Sequence, residues 1–469
     1  LSRVFCKDLS PFVPLSLARS GDRGEVKKTR RCAMLKLLKM VLGVVLLMSF
    51  VVPVFAESVD TAWVRRYNGS GNDDDEASAI AVDDSGNVYV TGRSWRSGLD
   101  YYYATIKYYP NGETAWMRKY SCSKDYASAI AIDGFGNVYV TGGSGSRTRL
   151  DYATIKYYPN GNAAWVRRYN GPVNDDDQAN AIAVDNYGNV YVTGYSWGGV
   201  TYGDCATIKY YPNGHTAWVR RYDGPGNTPD WASALAVDSS GNVYVTGNSR
   251  QTISNPDDYL TIKYYPNGDT AWVRRYNGPE NTTDQASAIA VDGSGNVYVT
   301  GSSAAVQRAT IKYYPNGDTA WVRRYPYGRG TAIAVDGSDN VFVTGYFATI
   351  KYYPDGDTAW VRGYPGFLGS AVAVDDSGNV YVTGDCSDRI TETGSDYVTI
   401  KFYPNGDTAW IVRYNGPENG YDRARDIAID SSGNVYVTGE SPGSGTKTDY
   451  VTIKYVRKST PFLPSDSTR

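Results

Sequence analysis

Histidine is almost missing from this chain. His215 is the single copy among 469 residues, and it sits in the turn Asn213-Gly214-His215. That scarcity excludes Ser-His-Asp, Cys-His and histidine-metal chemistry as the basis of any activity. Methionine is nearly as rare, with 4 copies. Of 5 cysteines, Cys122, Cys205 and Cys386 lie beyond the N-terminal segment, scattered and without C-x-x-C spacing. Such a set is neither a disulfide framework nor a structural zinc site. There is no Walker loop and no G-x-G-x-x-G between a strand and a helix. No excess of basic residues marks a nucleic-acid surface either, since 47 Lys and Arg face 49 Asp and Glu.

What is abundant is tyrosine, with 43 copies, and glycine, with 50. A mean hydropathy of −0.44 and a hydrophobic content of 41 % describe a soluble, globular composition. Tyrosine with glycine, and little methionine, favours many strands and turns over long helices.

The first 56 residues stand apart. Residues 1–33 carry no repeat and read as an extension of the gene beyond its true start at Met34 or Met40. Residues 34–56 read as a signal peptide: Lys36 and Lys39 lead an apolar run over 40–52, and Val54-Phe55-Ala56 places small residues at a cleavage site. A single membrane anchor is the alternative, for which the run is short. Beyond Ala56 the chain holds 37 basic and 46 acidic residues, a net charge of −9. The expectation is a secreted, extracellular or periplasmic protein with no membrane span in its mature form.

From residue 61 onward a single phrase is copied eight times. AIAVDDSGNVYVTG at 79–92 returns at 129–142, 181–194, 234–247, 288–301, 332–345, 371–384 and 426–439. Four segments recur in order, called strands A to D: A-I-A-V-D (79–83), N-V-Y-V-T-G (87–92), A-T-I-K-Y-Y (104–109) and T-A-W-V-R-R-Y (61–67). Each is rich in β-branched or aromatic residues and is bounded by turn residues. A runs to B through Asp-x-x-Gly-Asn and C to D through Pro-Asn-Gly or Pro-Asp-Gly, both of them hairpin chemistry. In the one A–B turn without glycine Asp339 takes its place, a residue that tolerates positive φ.

A four-stranded meander with two apolar faces needs cover on both, and radial stacking supplies it. The spacing predicts an all-β β-propeller of eight four-stranded blades over 57–455, with seven blades as the alternative, followed by a tail at 456–469. The region opens on a lone strand D (61–67) and ends on a strand C (452–455). The N-terminal outer strand is therefore expected to complete the last blade and remove both free edges. The phrase A-x-A-I-A-V-D-x-x-G-N-V-Y-V-T-G resembles the bacterial secreted β-propeller repeat SBBP and, more distantly, NHL repeats. That resemblance covers 61–455 and implies an extracellular or surface propeller. It carries over no catalytic residue.

Function is then expected where the repeat breaks. The D–A and B–C loops share one face and vary, as in 93–102, 195–204, 248–258 and 385–396, whereas the A–B and C–D turns opposite are uniform. Eight tryptophans belong to strand D: Trp63, Trp116, Trp165, Trp218, Trp272, Trp321, Trp360 and Trp410. Trp95, Trp197 and Trp231 fall outside the repeat, in the loops of the variable face. They either cover blade edges or stack on a sugar ring or partner protein. Asp75, Asp125, Asp177, Asp230, Asp284 and Asp422 each stand two residues before the alanine that leads into strand A (Ala77 in the first repeat) and would ring the channel mouth. They read as turn acceptors, with a Ca²⁺ site as the alternative. The recurrent Lys of strand C and Arg pair of strand D read as solvated charges or cross-strand pairs. The expected protein is a monomeric binding or scaffold module for a glycan or an extracellular protein, not for nucleic acid, and needs no cofactor. A propeller enzyme using loop carboxylates is the alternative.

Overall fold

The computed structural model describes residues 57–458 except 99, 122–123, 147–148, 200–202, 305–306 and 388–393. The expected leader, Cys122 and most of the tail lie outside them. The chain divides between Ala56 and Glu57.

Residues 57–458 form antiparallel meanders in the order A-B-C-D. In the third repeat these strands are Asp177–Val184, Val190–Trp197, Gly203–Tyr210 and Thr216–Tyr222. The ladder continues past the apolar pattern, because the B–C hairpin keeps pairing towards its tip: Trp197 is opposite Gly203, and in the first repeat Trp95 is opposite Tyr101. Trp231 lies in strand A of the fourth repeat, opposite Asn248. The three non-repeat tryptophans therefore stand on strands and not, as expected, in loops. The last strand also runs further than read from sequence, spanning Thr448–Arg457.

The expected closure is present. Val59–Tyr67 pairs antiparallel with Thr448–Arg457 and makes the fourth strand of the last meander. The expectation of eight separate four-stranded sheets, or seven, needs correction. Four sheets have four strands, one has eight and one has six. The eight-stranded sheet joins the first and second repeats through one parallel pairing, Tyr101 with Lys124. The six-stranded sheet arises because the sixth repeat has almost no loops. Val341–Tyr352 covers B and C with a bend at Phe347 (φ 72°), and Thr358–Val374 covers D and the next A.

Packing between successive repeats follows one scheme. The strand-D tryptophan sits between a tyrosine of its own strand B and one from the next repeat's strand C. Trp116 lies 6.1 Å from Tyr89 and 5.9 Å from Tyr157. Its indole N–H donates to the carbonyl of Pro159 in the next C–D turn at 3.0 Å. Trp63, Trp165, Trp218, Trp272, Trp321 and Trp360 do the same to Pro110, Pro212, Pro266, Pro315, Pro354 and Pro404. The first arginine of strand D adds a second bond: Arg274 Nε donates to Gly317 O at 2.6 Å. Gly317 has φ 86°, and a Cβ there would fall 2.8 Å from the Trp272 ring, so only glycine allows this approach. The strand-C lysine supplies a third, as in Lys312 Nζ to Pro354 O at 3.1 Å. These cations are inter-repeat pins, which corrects their reading as solvated charges; Lys312 is buried.

The pins also explain where the repeat lapses. The last meander has no C–D turn, because its strand D is the N-terminal strand. The preceding repeat accordingly carries Val412 at the arginine slot. Its lysine, Lys401, is buried and pairs instead with the half-buried carboxylate of Glu57 at 2.7 Å. In the fifth repeat Arg308 replaces the usual buried tyrosine. Its guanidinium reaches the carbonyls of Val343, Arg329, Tyr346 and Ala348 in the short sixth repeat.

Pins of this kind set two expectations for stability. Arg274→Val should cost about 1.5–3 kcal/mol, the scale of a charged hydrogen bond to a carbonyl, whereas Val412→Arg should gain nothing, because no turn carbonyl waits for it. Chemical denaturation of both variants checks this contrast. Glu57→Ala should cost about 1–3 kcal/mol, since it leaves Lys401 Nζ without its partner; a variant as stable as the parent would refute the role given to Glu57.

Candidate functional site

On the D–A and B–C face the second arginine of strand D, where a repeat carries one, holds the hairpin in place. Arg221 donates to Ser196 O at 2.9 Å and to Asp204 Oδ2 at 2.7 Å, tying together the two sides of the B–C hairpin that carries Trp197. Arg275 does this for the fourth repeat through Ser249 O and Asp258, and Arg168 for the second through Ser144 O and Asp151. The loops thus vary on rigid supports.

The six aspartates lie fully or almost fully buried beneath the D–A loops, not open at a channel mouth. Asp177 accepts from Gly171 N at 2.7 Å and from Trp197 N at 3.1 Å. Asp75 takes Gly69 N and Trp95 N in the same way. Asp284 takes Gly278 N and Ala304 N, Asp230 takes Gly224 N and Asp422 takes Gly416 N. Each carboxylate joins its own D–A loop to its own blade, so the six are separated, one to a repeat. Asp125 is buried at the matching place in the second repeat. Among the described residues no group of three His, Cys, Asp or Glu side chains is placed to hold a metal ion. Burial raises the carboxyls of Asp75, Asp177 and Asp422 above the ordinary range. That of Asp230 is pushed up to about 6, with hydrogen bonds from Ser249 and Gly224 opposing the desolvation.

The structure separates the three tryptophans. Trp95 lies over its own D–A loop: its indole N–H donates to Gly98 O at 3.1 Å, and a Cβ on Gly71 would fall 1.9 Å from its ring. It covers a blade edge. Trp197 and Trp231 face the junction of the third and fourth repeats, where they line a cavity of about 650 Å³ with Asp176, Asn180, Tyr195 and Asn248. Trp231 is 39 % exposed. Asn180 donates to Ala232 O at 2.8 Å and bridges the two repeats. Beside the cavity, Gln178 Oε1 accepts from Tyr126 OH at 3.0 Å and Tyr195 OH at 3.4 Å.

Tyr195, Asn180 and Asn248 did not stand out in the sequence, and Asp176 stood out only within the acidic run Asp175-Asp176-Asp177. A signal was there: Asn180 replaces the serine of positions 78, 128, 233 and 287, a departure inside strand A where only loops were searched. Of the cysteines, Cys205 is buried and its thiol is pushed up to about 12 by desolvation, while the Cys386 thiol donates to Pro365 O at 3.2 Å. Neither is among the described residues that line the cavity.

Radially repeated meanders closed by pairing of the terminal strands, with a cavity on the loop face, define the class as a β-propeller. Segments 62–100, 123–146, 164–200, 217–250, 271–305 and 410–445 match the family described as SBBP, a beta-propeller repeat. Six segments of this chain thus carry the SBBP beta-propeller repeat. No curated protein matches it. Among solved structures it is similar to one described as the Dos1 propeller, with TM-score 0.55 and 8 % identity, over 84 % of this chain and 95 % of that one. A protein of unknown function from Bacteroides caccae aligns with TM-score 0.37 and 9 % identity, over 69 % and 93 % of the two chains. The first likeness concerns the fold alone. Among the described residues no helix is long and apolar enough to cross a membrane.

The raised Asp230 carboxyl makes a pH prediction. Between about pH 4 and pH 6 the folded protein keeps a proton that the unfolded chain has released. Asp230 therefore favours folding fully below about pH 4, and that contribution is lost as pH rises through 6. Asp230→Asn should flatten the fall in Tm between pH 4.5 and 7; calorimetric scans with the same slope for both proteins would contradict it.

Proposed function

We propose that this protein is a secreted or cell-surface binding module. It is read as a monomeric ring of eight blades closed by its N-terminal strand, presenting its ligand site on the D–A and B–C face. The carrying observation is the cavity of about 650 Å³ between the third and fourth repeats, lined by two indoles that the repeat does not require. Small-molecule sites commonly have this size and combine aromatic walls with a few polar groups.

Support for eight blades comes from eight copies of the phrase and from eight hydrophobic clusters, each spanning two neighbouring repeats. Support for export comes from the basic start, apolar run and small residues over 34–56. Glu57, the first residue after that cleavage pattern, is also where the folded unit begins. The enzyme reading needs two carboxylates about 5–9 Å apart, and Asp176 is the sole carboxylate among the described lining residues. Holding a ligand is the chemistry this lining favours.

The test replaces hairpin tips 195–204 and 248–258 with the short Tyr346-Phe347 connection of the sixth repeat. Parent and variant, purified after expression of the full chain, are compared on arrays of glycans, peptides and extracellular proteins. Loss of the parent's binding in the variant is the expected result; binding retained by the variant would defeat the assignment.

A further inference from the structure

The cavity at the third and fourth repeats is more than a recess: given the binding-module reading, on which this inference rests, its lining selects a class of ligand. Trp231, 39 % exposed, offers a broad aromatic surface, and Trp197 and Tyr195 add aromatic surface from the facing repeat. The backbone behind Trp197 is held by Asp177 and by the Arg221 clamp, so the wall is in place before a ligand arrives. A preformed apolar wall lowers the ordering cost of binding.

The polar groups have a distinct pattern. Asn248 is only 5 % exposed, and its Nδ2 has no hydrogen-bond partner. A buried amide N–H without an acceptor costs about 1–3 kcal/mol, and other repeats place Gly143 or Ser302 at this slot without that cost. An acceptor brought by a ligand explains the asparagine. Asp176 accepts Leu150 N through Oδ1 at 2.9 Å, which fixes its carboxylate in the lining as a further acceptor. No lysine or arginine is among the described lining residues, so nothing compensates a phosphate, sulfate or carboxylate, and Asp176 repels one. The suitable occupant has an apolar face for an indole and neighbouring groups that both donate and accept, without negative charge. Hydroxyls on a saturated ring meet all three conditions.

We infer that this cavity binds an uncharged pyranose ring of a saccharide, its C–H face against Trp231, with one hydroxyl oxygen accepting from Asn248 Nδ2 and another hydroxyl donating to Asp176. Anionic sugars are excluded by the same lining.

The experiment is an array of neutral glycans (glucans, mannans, galactans and xylans) beside sulfated and uronate glycans and immobilised peptides. It is probed with the full-chain product and with Trp231→Ala and Asn248→Ala, and calorimetry on the best neutral oligosaccharide comes next. Neither substitution should lower Tm, since Trp231 is partly exposed and the Asn248 amide donates no bond that folding needs. Binding to neutral glycans, weakened about tenfold or more in each variant as expected for a central contact, is the predicted result. Neutral-glycan binding unchanged in both variants overturns the inference, as does binding confined to anionic glycans or absence from every glycan. Binding confined to peptides or proteins, and lost in the hairpin-tip variant, overturns the saccharide assignment while leaving the binding-module reading standing.

Discussion

An indole N–H buried between blades must find an acceptor, and here it finds the carbonyl of a proline in the next repeat. That bond recurs from Trp63 to Trp360, and the arginine and lysine pins surround it. Each tryptophan fills the widening wedge between two sheets and uses its polar atom to set their separation. The proline carbonyl is available because the C–D turn reaches over the neighbouring blade, and the glycine after it clears the indole. A ring built this way is a sum of near-identical contacts between neighbours, so each junction can differ provided the pins remain. Where the turn is missing, at the closing junction, the pins change together: Val412 appears and Glu57 takes the lysine.

This arrangement leaves the opposite face free to diverge. Arginine clamps at the hairpin bases and aspartates under the D–A loops hold the supports, and the tips carry whatever chemistry a repeat has acquired. The first and eighth repeats carry ion pairs there, Arg93 with Glu76 and Arg425 with Glu440. The third and fourth carry aromatics and amides around a cavity. The sixth has almost no tip, and buried Arg308 of its neighbour satisfies the carbonyls that a longer hairpin would have covered.

Much of this was legible in the sequence. The D-x-x-G-N turns, the core tryptophans, Asp339 at positive φ and the pairing of the first strand with the last follow from local residue chemistry and register. The pins did not read correctly, because Lys107 or Arg118 on an outer strand looks solvent-facing until the next repeat's turn is placed beside it. Sheet count also escaped, since one bridge at Tyr101 joins two repeats and the unbroken strand Thr358–Val374 joins two more without altering the repeat. Trp95, Trp197 and Trp231 looked equivalent because each lies outside the repeated phrase; Gly71 beneath Trp95 distinguishes the first from the other two.

The sequence by itself determined the class of fold, because periodic turns and alternating β-formers act within a few residues and repeat often enough to leave no other architecture that buries both faces. Tertiary structure decided which side chains meet. Trp197 and Trp231 are 34 positions apart and in different repeats, and Asn248 lies a further strand away. They share a cavity because two pinned blades converge on one face. Contacts of that kind depend on distances between blades, which short-range residue preferences do not encode.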